Sequence, residues 1–79
     1  MAATTEKDWG MEATVARLRR AATDDKPAPT DGYDGSFRTA DGTLIGRHGP
    51  WVVVGDRAYH LGGATLARYF FRRLTEAAL

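Results

Sequence analysis

A chain of 79 residues builds one domain, and a domain of this size buries only roughly 60% of its unfolded surface, so it needs reinforcement. There is no cysteine, which excludes disulfides and thiolate metal centres, and the two histidines, His48 and His60, lie far apart with no nearby carboxylate pattern, so no structural metal is expected. The net charge of +1 decides nothing about nucleic acid by itself; residues 1–35 hold five basic against seven acidic residues, and residues 36–79 hold six arginines against three acids.

Residues 1–7 are small and polar, without the charged start and apolar core of a signal peptide. Residues 1–22 form an arm and a helix, the helix running from about Asp8 to Ala22 with Asp8 as N-cap. Met11, Val15, Leu18 and Ala22 recur at helical spacing as a narrow apolar stripe, while Glu12, Arg17, Arg19 and Arg20 take the remaining surface. Such a helix must pack on a sheet or on its own copy, because isolated helices below about 12–15 residues are marginal in water.

Residues 23–35, TDDKPAPTDGYDG, read as a flexible linker, with two prolines, two glycines and four aspartates. Tyr33 is its one large apolar side chain and is positioned to tack the linker onto the body.

Residues 36–79 form the core, a three- or four-stranded antiparallel meander followed by a helix. The Asp41-Gly42 pair predicts a two-residue type I′ hairpin, in which Thr39 faces Leu44, Arg38 faces Ile45 and Phe37 faces Gly46. Phe37, Thr39 and Leu44 then share one face, and Arg38, Ile45 and Arg47 the other. Gly49-Pro50 interrupts the ladder. Gly55-Asp56 predicts a II′ turn that sets Val54 opposite Arg57 and Trp51 opposite His60. One face of this second hairpin carries Val52, Val54, Tyr59 and Leu61, and the other Trp51, Val53, Ala58 and His60. A sheet apolar on both faces is covered on both.

After Gly62-Gly63, a helix from Ala64 or Thr65 to the C-terminus places Leu66, Ala67, Phe70, Phe71, Leu74, Ala77 and Ala78 in an apolar arc of about 140°. Arg72 and Glu76 form an i,i+4 pair on its outer side. This helix packs on the face of Val52, Val54 and Leu61. The face of Trp51 and His60 is left for the N-terminal helix or for a second chain.

Little in the chain points to catalysis. Ser36 is the sole serine and has no nucleophile-elbow context. His60 has no orienting carboxylate, since Asp56 sits at the far end of its hairpin, and His48 reads as a loop residue. Asp24, Asp25, Asp31 and Asp34 lack the order and terminal Glu of a calcium loop. No phosphate-binding glycine motif occurs, and Gly62-Gly63 reads as a plain strand-to-helix turn. The expectation is therefore no catalytic residue and no cofactor.

The fold class is α+β: N-terminal helix, linker, antiparallel meander, and C-terminal amphipathic helix on one sheet face. The leading function is a small cytoplasmic, non-enzymatic interaction module, such as an adaptor, inhibitor or assembly factor. Met11, Val15, Leu18, Trp51, Val53 and His60 would form its interface with itself, as a homodimer, or with a larger protein. The alternative is a DNA- or RNA-binding regulator using Arg38, Arg47, Arg57, Arg68, Arg72 and Arg73, because a small sheet with a helix can offer a ribbon to the major groove. The high Arg and Ala content, without Asn or Gln, is also the signature of GC-rich bacterial or phage coding, which accounts for arginines without any ligand.

Overall fold

The computed structural model describes residues 10–79. Among them, two helices, α1 (Met11–Ala21) and α2 (Ala64–Ala78), flank five strands: β1 (Asp24–Pro27), β2 (Gly35–Arg38), β3 (Leu44–His48), β4 (Trp51–Val54) and β5 (Arg57–His60). The strands form one antiparallel sheet in the order β1-β5-β4-β3-β2. The α+β class and the C-terminal helix packed on the sheet agree with the sequence reading; the strand number is one or two higher.

The extra strand comes from the stretch read as a linker. Asp24–Pro27 pairs with β5, setting Asp24 opposite His60 and Pro27 opposite Arg57. All four residues are exposed. Bonds from the Thr23 N–H to the His60 carbonyl (2.8 Å) and from the Ala28 N–H to the Asp56 carbonyl (2.9 Å) extend the pairing at both ends. Gly49-Pro50 joins β3 directly to β4, with His48 opposite Trp51.

The register of β4 and β5 is the expected one, with Val54 opposite Arg57. That of β2 and β3 is not. Phe37 lies opposite Ile45 and Arg38 opposite Leu44, a slip of one residue. The loop has three residues: the Gly42 N–H bonds the Thr39 carbonyl at 2.9 Å, and Gly42 takes φ +88°, so a type I turn is followed by a left-handed glycine. A slip of one residue exchanges the faces of a strand. Phe37 therefore joins Ile45, Val52 and Val54 on the first face, and Arg38 turns to the second with Leu44.

Both helices cover the first face. Leu18 of α1 and Ala67, Phe70 and Leu74 of α2 form one buried cluster with Ile45, Val52 and Leu61. Leu66, placed in the apolar arc of α2 by its period, is exposed. Asp8 lies outside the described residues, and the residue that caps α1 is Gly10, with no side-chain cap. Thr14 is fully buried in α1, and its hydroxyl is satisfied by the Gly10 carbonyl at 2.8 Å.

The second face is crossed not by α1 but by another segment of the chain. β1 and β2 lie at opposite edges of the sheet, so residues 28–34 must traverse it to connect them. They do so on the second face, where Tyr33 lies on Gly46 and meets the His48 ring edge-on. The Tyr33 hydroxyl donates to the Pro29 carbonyl at 2.6 Å. Tyr33 thus tacks the segment to the body, as its isolation in the sequence suggests. Lys26 lies over the Trp51 ring, 4.2 Å from its centroid. Val53 and Ala58 are fully buried as a result.

Candidate protein-interaction site

The residues expected to form one interface fall on two sides of the sheet. Met11, Val15 and Leu18 lie with α1 over the first face, Leu18 buried in the core and the other two half-buried. Trp51, Val53 and His60 lie on the second face. Trp51 meets His60 edge-on, and the His60 Nδ1 accepts the Gly62 N–H at 3.0 Å, which gives the imidazole a structural post at the start of the turn into α2. No continuous surface joins the two groups, and on the second face Val53 is fully buried while Trp51 and His60 are half-buried.

Among the described residues, the first face carries a groove of about 1010 Å³ at the end of the sheet near the β2–β3 loop. Met11 and Val15 form one wall, Thr39 and Thr43 the other, and Val54 and Ile45 the floor; the end of α2 closes it at Ala77. Met11, Val15 and Val54 are half-buried, so part of each apolar side chain still faces water. Charges of both signs, Glu12, Arg19 and Asp41, stand around it. The hairpin wall is held by Asp41, whose carboxylate accepts hydrogen bonds from the Thr39 hydroxyl and, at 3.1 Å, from the Thr43 N–H. These bonds hold its carboxyl below the usual range. The sequence reading missed the hairpin wall of this groove because its register set Thr39 opposite Leu44 and not Thr43; the threonines flanking Ala40-Asp41-Gly42 were the available signal for a three-residue loop.

The six arginines do not form one surface. Arg38 bonds the Gly42 carbonyl of its own hairpin at 2.8 Å, on the second face. Arg57 pairs with Asp25 at 2.7 Å. Arg73 lies over Tyr69, 6.0 Å from the ring centroid. Arg47, Arg68 and Arg72 do converge, on a second groove of about 550 Å³ between the start of β2 and α2. Arg72 does not close on Glu76.

Asp34 lines the same groove. Its carboxylate accepts the Gly49 N–H at 2.8 Å and lies 3.6 Å from the Arg47 guanidinium. The backbone bond foremost, and then Arg47 and His48, hold its carboxyl below the usual range. Its folded pKa is thus below the unfolded value of about 3.9. The stability it contributes is complete above that value and is lost as the pH falls through the folded pKa. The melting temperature is expected to drop below about pH 4, and Asp34→Asn should flatten part of that drop. A melting profile unchanged by Asp34→Asn from neutral pH to pH 2 would contradict the assignment.

Among the described residues, no helix is long and apolar enough to cross a membrane. No protein-family model, curated protein or solved structure matches the chain.

Proposed function

We propose that the chain is a small non-enzymatic interaction module that seats an amphipathic helix of a larger protein in the groove between α1 and the sheet. The observation that carries this reading is the half-buried apolar set Met11, Val15 and Val54, lining one groove with part of each side chain still facing solvent. One wall of the groove is a helix and the other a hairpin tip, which suits the helix-in-groove mode, where apolar anchors at i, i+3 and i+4 fill the cleft. Glu12, Arg19 and Asp41 around the groove complement the mixed charges that flank such a stripe.

The test is selection of binders from a displayed library of amphipathic helical peptides, with amide shifts mapped on the full chain. Selected peptides should perturb Met11, Val15, Thr43 and Val54. Val15→Glu should weaken them by roughly tenfold or more while the fold holds, because burying an unpaired charge opposes docking. Peptides that map elsewhere, or ignore Val15→Glu, would sink the reading. Sedimentation across a hundredfold concentration range is expected to give a monomer; a dimer dispersed by Val15→Glu would make a second copy the occupant instead.

A further inference from the structure

The sheet ends in two edges of different character. The β1 edge is Asp24-Asp25-Lys26-Pro27, three charges and a proline that has no N–H to offer. Charge and proline on an edge are the usual guard against strand addition. The β2 edge is Gly35-Ser36-Phe37-Arg38, with no proline and a single charge, which is folded back onto the Gly42 carbonyl. The ladder to β3 uses one side of β2, and among the described residues no strand lies on the other.

The second groove lies beside the start of this edge, on the first face. Arg68 and Arg72 stand one helical turn apart on exposed positions of α2, and neither has an ion pair or hydrogen bond among the described residues. Arg47 reaches the same groove from β3, only 18% exposed, with one N–H on the Gly49 carbonyl. Gly35 and Phe71 complete the lining between strand and helix. This groove shares no lining residue with the groove beside α1.

We propose that the β2 edge takes an extended acidic segment of a protein partner as an additional strand, with alternate carboxylates of that segment reaching Arg68 and Arg72. A strand laid along β2 turns every second side chain to the first face, over this groove. Successive residues on that face stand about 6.8 Å apart along a strand, and Arg68 and Arg72 are about 6 Å apart along the helix, so two carboxylates match two guanidiniums. Arginine favours this recognition because its planar fork pairs with a carboxylate through two bonds. A second copy fits less well, since its β2, Gly35-Ser36-Phe37-Arg38, has no carboxylate to offer the arginines. Nucleic acid fits less well than an acidic strand: Asp34 stands in the groove, only three of the six arginines expected to contact it converge there, and phosphate binding draws on many neutralised charges.

The experiment uses the full chain, isotopically labelled, with three probes. These are a ten-residue peptide alternating Glu with Val, the same peptide N-methylated at alternate backbone positions, and a mixed-sequence DNA duplex. The unmodified peptide should shift the Ser36, Phe37 and Arg38 amides and slow exchange at Ser36 and Arg38, whose N–H groups face away from β3. N-methylation should remove binding, and Arg68→Glu with Arg72→Glu should weaken it roughly tenfold or more without moving the melting temperature. The doubly substituted chain should then accept a Lys-Val peptide. Peptide binding indifferent to N-methylation, or no shift along β2 at millimolar peptide, overturns the proposal. So does tighter, salt-sensitive binding of the duplex lost in the same variant. The α1 groove is untouched by these changes, so Val15→Glu should leave peptide binding at β2 as it was.

Discussion

Replacing Phe70 by alanine is expected to leave the chain unfolded at room temperature. Phe70 is 6% exposed and stands in the middle of the cluster that joins Leu18 of α1 and Leu74 of α2 to Ile45, Val52 and Leu61. Truncation of a buried phenylalanine costs about 3–5 kcal/mol. A core of this size rarely supplies more than about 3–5 kcal/mol in all. No disulfide is present to hold the remainder together. Circular dichroism during urea titration is the measurement: the wild type should give a cooperative transition and the variant none. Phe70→Leu, which keeps most of the volume, should retain the transition at a cost of less than about 1.5 kcal/mol. A wild-type melting curve for Phe70→Ala would mean that α2 does not present this side to the sheet.

The elements that declared themselves in the sequence are those whose side chains are sorted by burial. α2 shows a helical period because Ala67, Phe70 and Leu74 enter the core and Arg68 and Arg72 do not. The β4–β5 hairpin shows itself because Val52 and Val53 are both buried, on opposite faces, and Gly55-Asp56 dictates the turn. β1 gave no such signal. Its four residues are exposed, it has no apolar alternation, and its strand conformation rests on backbone pairing with β5. Without β1 at the far edge, nothing in the sequence required residues 28–34 to cross the second face, so the cover over Trp51 and Val53 had to be sought in α1 or another chain. The candidate sites suffered in the same way. Arg68 and Arg72 are neighbours by spacing alone, but placing Arg47 and Gly35 beside them requires the packing of α2 over the start of β2. The hairpin wall of the apolar groove, Thr39 beside Thr43, depended on one residue of register in the β2–β3 hairpin.

Gly46→Ala should destabilise the fold although Gly46 sits mid-strand and does not adopt a left-handed conformation. On backbone grounds alone the change should help: Gly→Ala at a compatible position stabilises by about 0.4–1 kcal/mol, through the unfolded chain. Here the added methyl carbon would stand 2.8 and 3.0 Å from two ring carbons of Tyr33, with the Gly35 carbonyl oxygen at 3.4 Å. The ring is not free to yield. Its hydroxyl is bonded to the Pro29 carbonyl, and its position beside His48 is fixed by the same segment. The crossing segment must therefore lift, and Val53 and Ala58, both fully buried, lose part of their cover. Overpacking of this kind costs about 1–3 kcal/mol, enough to reverse the sign of the backbone gain. Tyr33→Ala removes the obstacle, so in that background Gly46→Ala should become neutral or stabilising, a coupling of about 1–3 kcal/mol between the two sites. Denaturant midpoints of the four chains in the cycle measure it. If Gly46→Ala stabilises the wild-type chain, Tyr33 does not lie on the sheet, and the second face is free for a partner.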